Sequence, residues 1–218
     1  MINIDIEKII ELLEKESIKW NVPVVTLIAL QEKNPFKVLI STIISLRTKD
    51  EVTIESSKRI YKILSKPTDI YNLTIKEIEN AIYPCGFYKR KAIQIKKICE
   101  RLDKEFNSIV PKEIETLLTF DGIGRKTANL VLSEGYNIPA MCVDTHVHRI
   151  SNRLGYIKTK NPDETEIQLR KILPKKYWIR YNSLLVAFGQ SICRPISPHC
   201  TKCPILNYCN RINVEKYR

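Results

Sequence analysis

The stretch Phe120-Asp121-Gly122-Ile123-Gly124-Arg125-Lys126-Thr127-Ala128-Asn129 decides how the chain is read. It places a glycine-punctuated turn between two apolar helical patterns. The first carries Ile114, Leu117 and Leu118, and the second runs from about Arg125 through Ala128, Val131 and Leu132. Glycine lets the backbone turn sharply and lie close to another molecule, because no Cβ intrudes. Beside such a turn, the N–H groups of a helix start form an anion site. Phosphate is the natural anion for a chain of net charge +12. Lys126 falls in the first turn of the second helix, where the helix dipole disfavours a cation. A local rule broken beside a ligand-like turn marks a functional place. The same positive surroundings push the amine toward its neutral, nucleophilic form. Taken singly, a Gly-x-Gly turn is ordinarily only a turn, and a lysine only a solvated charge. The whole string carries the reading.

The 218 residues can hold one large core or two small domains, and 44% hydrophobic content suits a globular chain. The 36 basic against 24 acidic residues point to a polyanionic partner. No apolar run is long enough to span a membrane. The N-terminal Met1-Ile-Asn-Ile-Asp-Ile-Glu7 is acidic and unlike a signal peptide. A cytoplasmic protein is expected. Four of the seven cysteines crowd the C-terminus as Cys193, Cys200, Cys203 and Cys209, with spacing C-x6-C-x2-C-x5-C. Inside a cell such clustering argues for metal over disulfides. Spacing alone leaves zinc and a [4Fe–4S] cluster both open. His199 reads as a loop residue, and the isolated Cys85, Cys99 and Cys142 read as core filler.

An all-α chain follows from the periodicity. Ile6, Ile9, Ile10 and Leu13 form a helical stripe behind Asp5, a candidate N-cap. Val22 to Leu30, apolar and partly β-branched, is the segment the pattern assigns least firmly. Phe36, Leu39, Ile40 and Ile43 follow Pro35; Val52, Ile60 and Ile63 run toward Pro67. Thr74 and Glu77 form a capping box, with Gly86 read as the close of that helix. Ala92, Ile95, Cys99, Leu102 and Phe106 mark a long helix, and another spans about Thr145 to Leu154. Asn161-Pro162-Asp163-Glu164 opens a helix with Pro at N1 and Glu at N3. Tyr181, Leu184, Leu185 and Phe188 line the last long one.

The glycine–lysine string, Asp144 eighteen residues beyond Lys126, and the cysteine ladder together closely resemble the endonuclease III family, over about residues 1–210. The resemblance implies an all-α fold of two helical lobes. One is a six-helix lobe over 28–138 containing a helix-hairpin-helix motif. The other combines 1–27 with 139–218 and ends in the cysteine loop, for which the resemblance implies a [4Fe–4S] cluster. It implies a base-excision-repair DNA glycosylase with AP lyase activity on oxidised pyrimidines. Lys126 then matches the amine that forms a Schiff base, and Asp144 the carboxylate that supports charge on the sugar. The residues alone also read Asp144 as a helix N-cap, and one oxygen can cap while the other serves chemistry. An ionised Asp144 near the lysine would raise its pKa, against the dipole. His146 and His148 read as local hydrogen-bonding residues.

The hairpin residues Gly122, Ile123, Gly124 and Arg125 match a DNA-contacting turn. Phe87 matches an intercalating apolar residue, with ordinary packing the alternative. Arg47 stands where the family often has glutamine filling the gap left by the flipped base. Asp121 stands where proline often precedes the turn, and its charge would weaken a phosphate contact. The expected partner is double-stranded DNA containing damaged bases or abasic sites, bound by a monomer. Two other readings stay open on the residues: a mismatch-specific adenine or thymine glycosylase using water, and a non-catalytic zinc-containing DNA-binding module.

Overall fold

The structure, a computed structural model, describes residues 4–218; the first three residues of the acidic N-terminal stretch lie outside the described residues. The described chain is helical, with no strand. In order, the α-helices are α1 (Ile6–Ser17), α2 (Val24–Glu32), α3 (Pro35–Ser45), α4 (Asp50–Tyr61), α5 (Ile75–Ile82) and α6 (Tyr88–Phe106). Then come α7 (Ile114–Leu118), α8 (Arg125–Leu130), α9 (Thr145–Leu154), α10 (Pro162–Ile172) and α11 (Trp178–Ser191). A π-helical turn, Val131–Gly135, extends α8. Two compact units divide the chain: Val24–Ile138, and Met1–Pro23 with Pro139–Arg218.

In the first unit, α3 is the centre. Residues Phe36 and Val38 through Ile44 are all buried, and α2, α4, α6, α8 and the π turn pack around it. The apolar run from Val22 is helical from Val24 because Val24, Val25, Ile28 and Ala29 bury against this assembly. In the second unit, α11 packs on α1 and α9, and α9 packs on α10. The stripe Ile6, Ile9, Ile10 and Leu13 joins Val147, Ile150, Leu154, Tyr181, Leu185 and Phe188 in one core.

Local cap chemistry starts the helices. Asp5 accepts from Lys8 N, Asn34 from Phe36 N and Lys37 N, and Asn161 from Glu164 N behind Pro162. The Thr74–Glu77 capping box forms in both directions. Gly86 does not close α5, which stops at Ile82 with Tyr83 as its C-cap. Gly86 lacks a positive φ; its missing side chain matters because an added Cβ would lie 2.4 Å from the Arg47 carbonyl oxygen. Cys85, Cys99 and Cys142 are buried core residues.

Thr74→Ala removes the hydroxyl that accepts from Glu77 N. It should cost about 1 kcal/mol of unfolding free energy, read from the urea midpoint with an unchanged slope.

Candidate active site

The hairpin is braced by α6. Phe120 is buried and stacks at 5.5 Å on Phe106, while the Arg101 guanidinium lies 4.3 Å from the Phe120 ring centroid. Arg101 Nη1 donates to Thr119 O at 2.8 Å, and Gln94 Nε2 donates to Asp121 O at 3.2 Å. The turn is thereby fixed on a long helix. Its two glycines have different reasons to be there. Gly122 has φ +73, a left-handed conformation that disfavours a Cβ. Gly124 has φ −95 as the N-cap of α8, and a Cβ there would meet nothing within 4 Å. Folding demands the first glycine; the second leaves open surface at the helix start.

Ile123 is buried, and its N–H donates to Phe120 O at 3.1 Å, so it anchors the turn from inside. Arg125 is half-buried and Lys126 exposed in the first turn of α8. Asp121 is exposed, with Lys97 Nζ 3.6 Å from its carboxylate. That lysine partly offsets the negative charge beside the turn, though so exposed a pair is worth little in stability.

Asp144 lies in the other unit, at the N-cap of α9. It is buried, and its Oδ1 accepts from His146 N at 2.8 Å and Val147 N at 2.9 Å. A single oxygen thus makes both cap bonds. His146 Nδ1 lies 3.0 Å from Arg149 Nη2, and His148 Nδ1 lies 2.7 Å from Thr165 Oγ1. Gly189 makes room for this arrangement: a Cβ there would sit 2.3 Å from His146 Nδ1.

Arg47 and Phe87 come together in the unit that carries the hairpin. Both have positive φ, 53 and 58, and the guanidinium lies 5.6 Å from the ring centroid. Phe87 is 62% exposed. Ordinary core packing therefore does not account for it.

The four C-terminal cysteines line one cavity with Ile150, Leu154, Phe188 and Ile205. Burial pushes the Cys203 thiol up to about 12, with the neighbouring cysteines adding to the shift; burial also raises Cys200 and Cys209. Arg153 Nη1 lies 3.5 Å from Cys193 Sγ, and Arg211 N donates to Cys209 Sγ at 3.4 Å. Arg149 donates to Cys193 O at 2.8 Å. Among the described residues, no group of three or more His, Cys, Asp or Glu is gathered so as to hold a metal ion. His199, half-buried between Pro198 and Cys200, is a loop residue.

Residues 40–175 match the family described as HhH-GPD superfamily base excision DNA repair protein. The chain is 44% identical to endonuclease III of Thermotoga maritima over 82% of this chain and 84% of that protein. It belongs to the endonuclease III family. Its fold is similar to endonuclease III in a non-covalent DNA complex, with TM-score 0.84 and 33% identity over 94% of both chains. It is also similar to endonuclease III in a trapped DNA covalent intermediate, with TM-score 0.77 and 36% identity over 82% of this chain and 84% of that one.

One residue of this endonuclease III family member escaped sequence reasoning. Lys91 is buried on the α6 face that also carries Ile95, Ile98 and Leu102. A lysine on an apolar stripe was the signal that could have found it.

The two glycines should separate fold from ligand contact. Gly122→Ala should cost about 1–2 kcal/mol for a side chain in left-handed backbone. Gly124→Ala should leave the thermal midpoint nearly unchanged yet weaken binding to undamaged duplex DNA. Equal loss of stability in both variants would show that Gly124 is also a folding requirement.

Proposed function

We propose that this chain removes oxidised pyrimidines from duplex DNA through a Schiff base on Lys126 and cleaves the strand at the resulting site. Its enzyme class is that of its family, a base-excision-repair DNA glycosylase with AP lyase activity. Damaged double-stranded DNA is the substrate, and the net charge of +12 favours a polyanion. The observation that carries the reading is Lys126 itself, exposed in the first turn of α8 directly behind the glycine hairpin. An amine so placed is accessible to a nucleotide held at the turn. A relative trapped as a covalent DNA intermediate supports the same chemistry.

C1′ of a stacked nucleotide is out of reach, so the nucleotide must leave the duplex. The neutral Lys126 amine attacks C1′; the C–N bond forms as the glycosidic bond breaks, and the base departs with its electron pair and is protonated. Loss of a proton from nitrogen and opening of the sugar give the Schiff base. Removal of a C2′ proton then expels the 3′ phosphate by β-elimination. Water hydrolyses the imine and returns the lysine. Asp144 supports positive charge on the sugar during base loss, while its Oδ1 holds the start of α9. Arg47 and Phe87 fill the gap left in the stack: a planar guanidinium donates to the orphaned base, and an apolar wedge inserts between base steps. Gly122, Gly124 and Arg125 hold the backbone phosphates, on a turn that buried Ile123 anchors from inside.

We assign a [4Fe–4S] cluster to Cys193, Cys200, Cys203 and Cys209. Four sulfur donors around an apolar cavity, with N–H groups of Arg153 and Arg211 near two of them, fit such a group. When bound, it would tie the C-terminal loop together. No described helix is long and apolar enough to cross a membrane. A monomer acting on DNA inside the cell is the proposed form.

Lys126→Gln should reduce borohydride trapping and strand incision by on the order of 10³-fold, with duplex binding retained. Asp144→Asn keeps a side-chain oxygen able to cap α9, so circular dichroism should stay unchanged. Base excision should fall by about a hundredfold or more, with a smaller effect on a preformed abasic site. Wild-type trapping by Lys126→Gln would refute the nucleophile assignment.

Protein prepared without oxygen should carry about four iron atoms per chain. Cys203→Ala should lose the visible absorbance and lower the thermal midpoint. One zinc and no iron would overturn the cluster assignment.

A further inference from the structure

We infer that Lys91 is a positioning residue for nucleotide extrusion, its buried ammonium holding the Arg47 loop and the Phe87 loop in one arrangement. The inference rests on the reading that these two side chains fill the gap left by the extruded nucleotide.

Lys91 is 5% exposed. Its Nζ donates to Ile44 O at 2.7 Å, Leu46 O at 2.7 Å and Thr48 Oγ1 at 3.0 Å. An ammonium has three protons to give, and this one has three acceptors. Two of these are carbonyls where the chain leaves α3, the helix end that favours a cation. Without such partners a buried charge would be costly. All three acceptors lie on the segment that carries Arg47.

The ammonium is tied to the second loop through Thr48, whose Oγ1 also accepts from Gly86 N at 3.0 Å; the Lys91 N bond to Phe87 O, 3.0 Å, is the backbone's own first turn of α6. The Thr48 hydroxyl is therefore shared between the ammonium and the residue preceding Phe87. Gly86 lies so close to the Arg47 carbonyl that any Cβ would collide with it. Arg47 and Phe87 both hold left-handed backbone, which persists in such residues only where surrounding structure enforces it. An apolar side chain would fill the same place on the α6 stripe with no charge to desolvate. What the ammonium adds is direction: three fixed bonds orient one loop against the other.

Lys91→Met keeps the stem and removes the donors. In the full-length protein, single-turnover excision of an oxidised pyrimidine from duplex DNA should fall about tenfold or more, since small misplacements of positioning groups cost rates of that order. Dependence on the opposite base should change as it does in Arg47→Ala. Trapping on an abasic site in a single strand, which needs no extrusion, should stay within about twofold. Combining Lys91→Met with Arg47→Ala should add little, because both remove one arrangement. An equal fall on single-stranded and duplex substrates would overturn the inference, as would full duplex activity in Lys91→Met alongside impaired Arg47→Ala. Unimpaired Arg47→Ala and Phe87→Ala would instead refute the gap-filling reading, and the inference with it. Should Lys91→Met fail to fold by circular dichroism, Thr48→Val carries the test. It removes the shared hydroxyl and should show the same duplex-specific loss.

Discussion

The polar groups at the ends of a helix have no partners within the helix itself, and α3 finds them in side chains around it. Its side chains from Val38 to Ile44 are all buried. Asn34 accepts from two amides at the start. At the finish, the Lys91 ammonium takes the carbonyls of Ile44 and Leu46. Both solutions are polar groups supplied from outside the helix body. Since α2, α4, α6, α8 and the π turn all pack on α3, the position of the glycine hairpin and of the Arg47 loop follows from it.

In the other unit the equivalent part is played by α9. Its N-cap is Asp144, which holds the start of the helix and is proposed to support charge on the sugar. Further along, Arg149 and Arg153 turn toward the cysteine loop, with Arg153 donating to the carbonyls of Arg194 and Pro195 at 2.6 Å each. Asn210 N and Ile212 N return bonds to Leu154 O and Arg153 O. One ten-residue helix thus carries a capping carboxylate at one end and fastens the cysteine loop at the other. The loop has no regular secondary structure beyond short 3-10 turns, so these bonds to α9 fasten it to the rest of the unit.

The departures from the common family pattern find physical company. Asp121 beside the hairpin has Lys97 at 3.6 Å, which moderates its charge where DNA phosphates are proposed to approach. Arg47 in place of glutamine brings a guanidinium, and Phe87 offers it an aromatic face. A cation over a ring is a modest attraction at an exposed site. It gives the arginine one preferred resting place.

Cap chemistry, helical periodicity and the family were legible in the sequence, because each rests on residues a few positions apart or on an ordered string. Asp5, Thr74 with Glu77, and Asn161 with Pro162 act on amides within one turn of themselves, so no distant contact could overrule them. The glycine–lysine string and the cysteine spacing carried the family in the same way. Residues whose reasons lie far along the chain were not legible. Val24 to Ala29 are helical because α3 offers them a surface, and Gly86 is glycine because the Arg47 carbonyl passes beside it. Gly122 and Gly124 look alike in sequence, yet only the first has the left-handed backbone that needs a glycine. Lys91 carries no local sign of its partners, because its acceptors lie more than forty residues earlier in the chain. Local order is written in neighbouring residues; which distant carbonyl a buried group must meet is decided only when the chain packs.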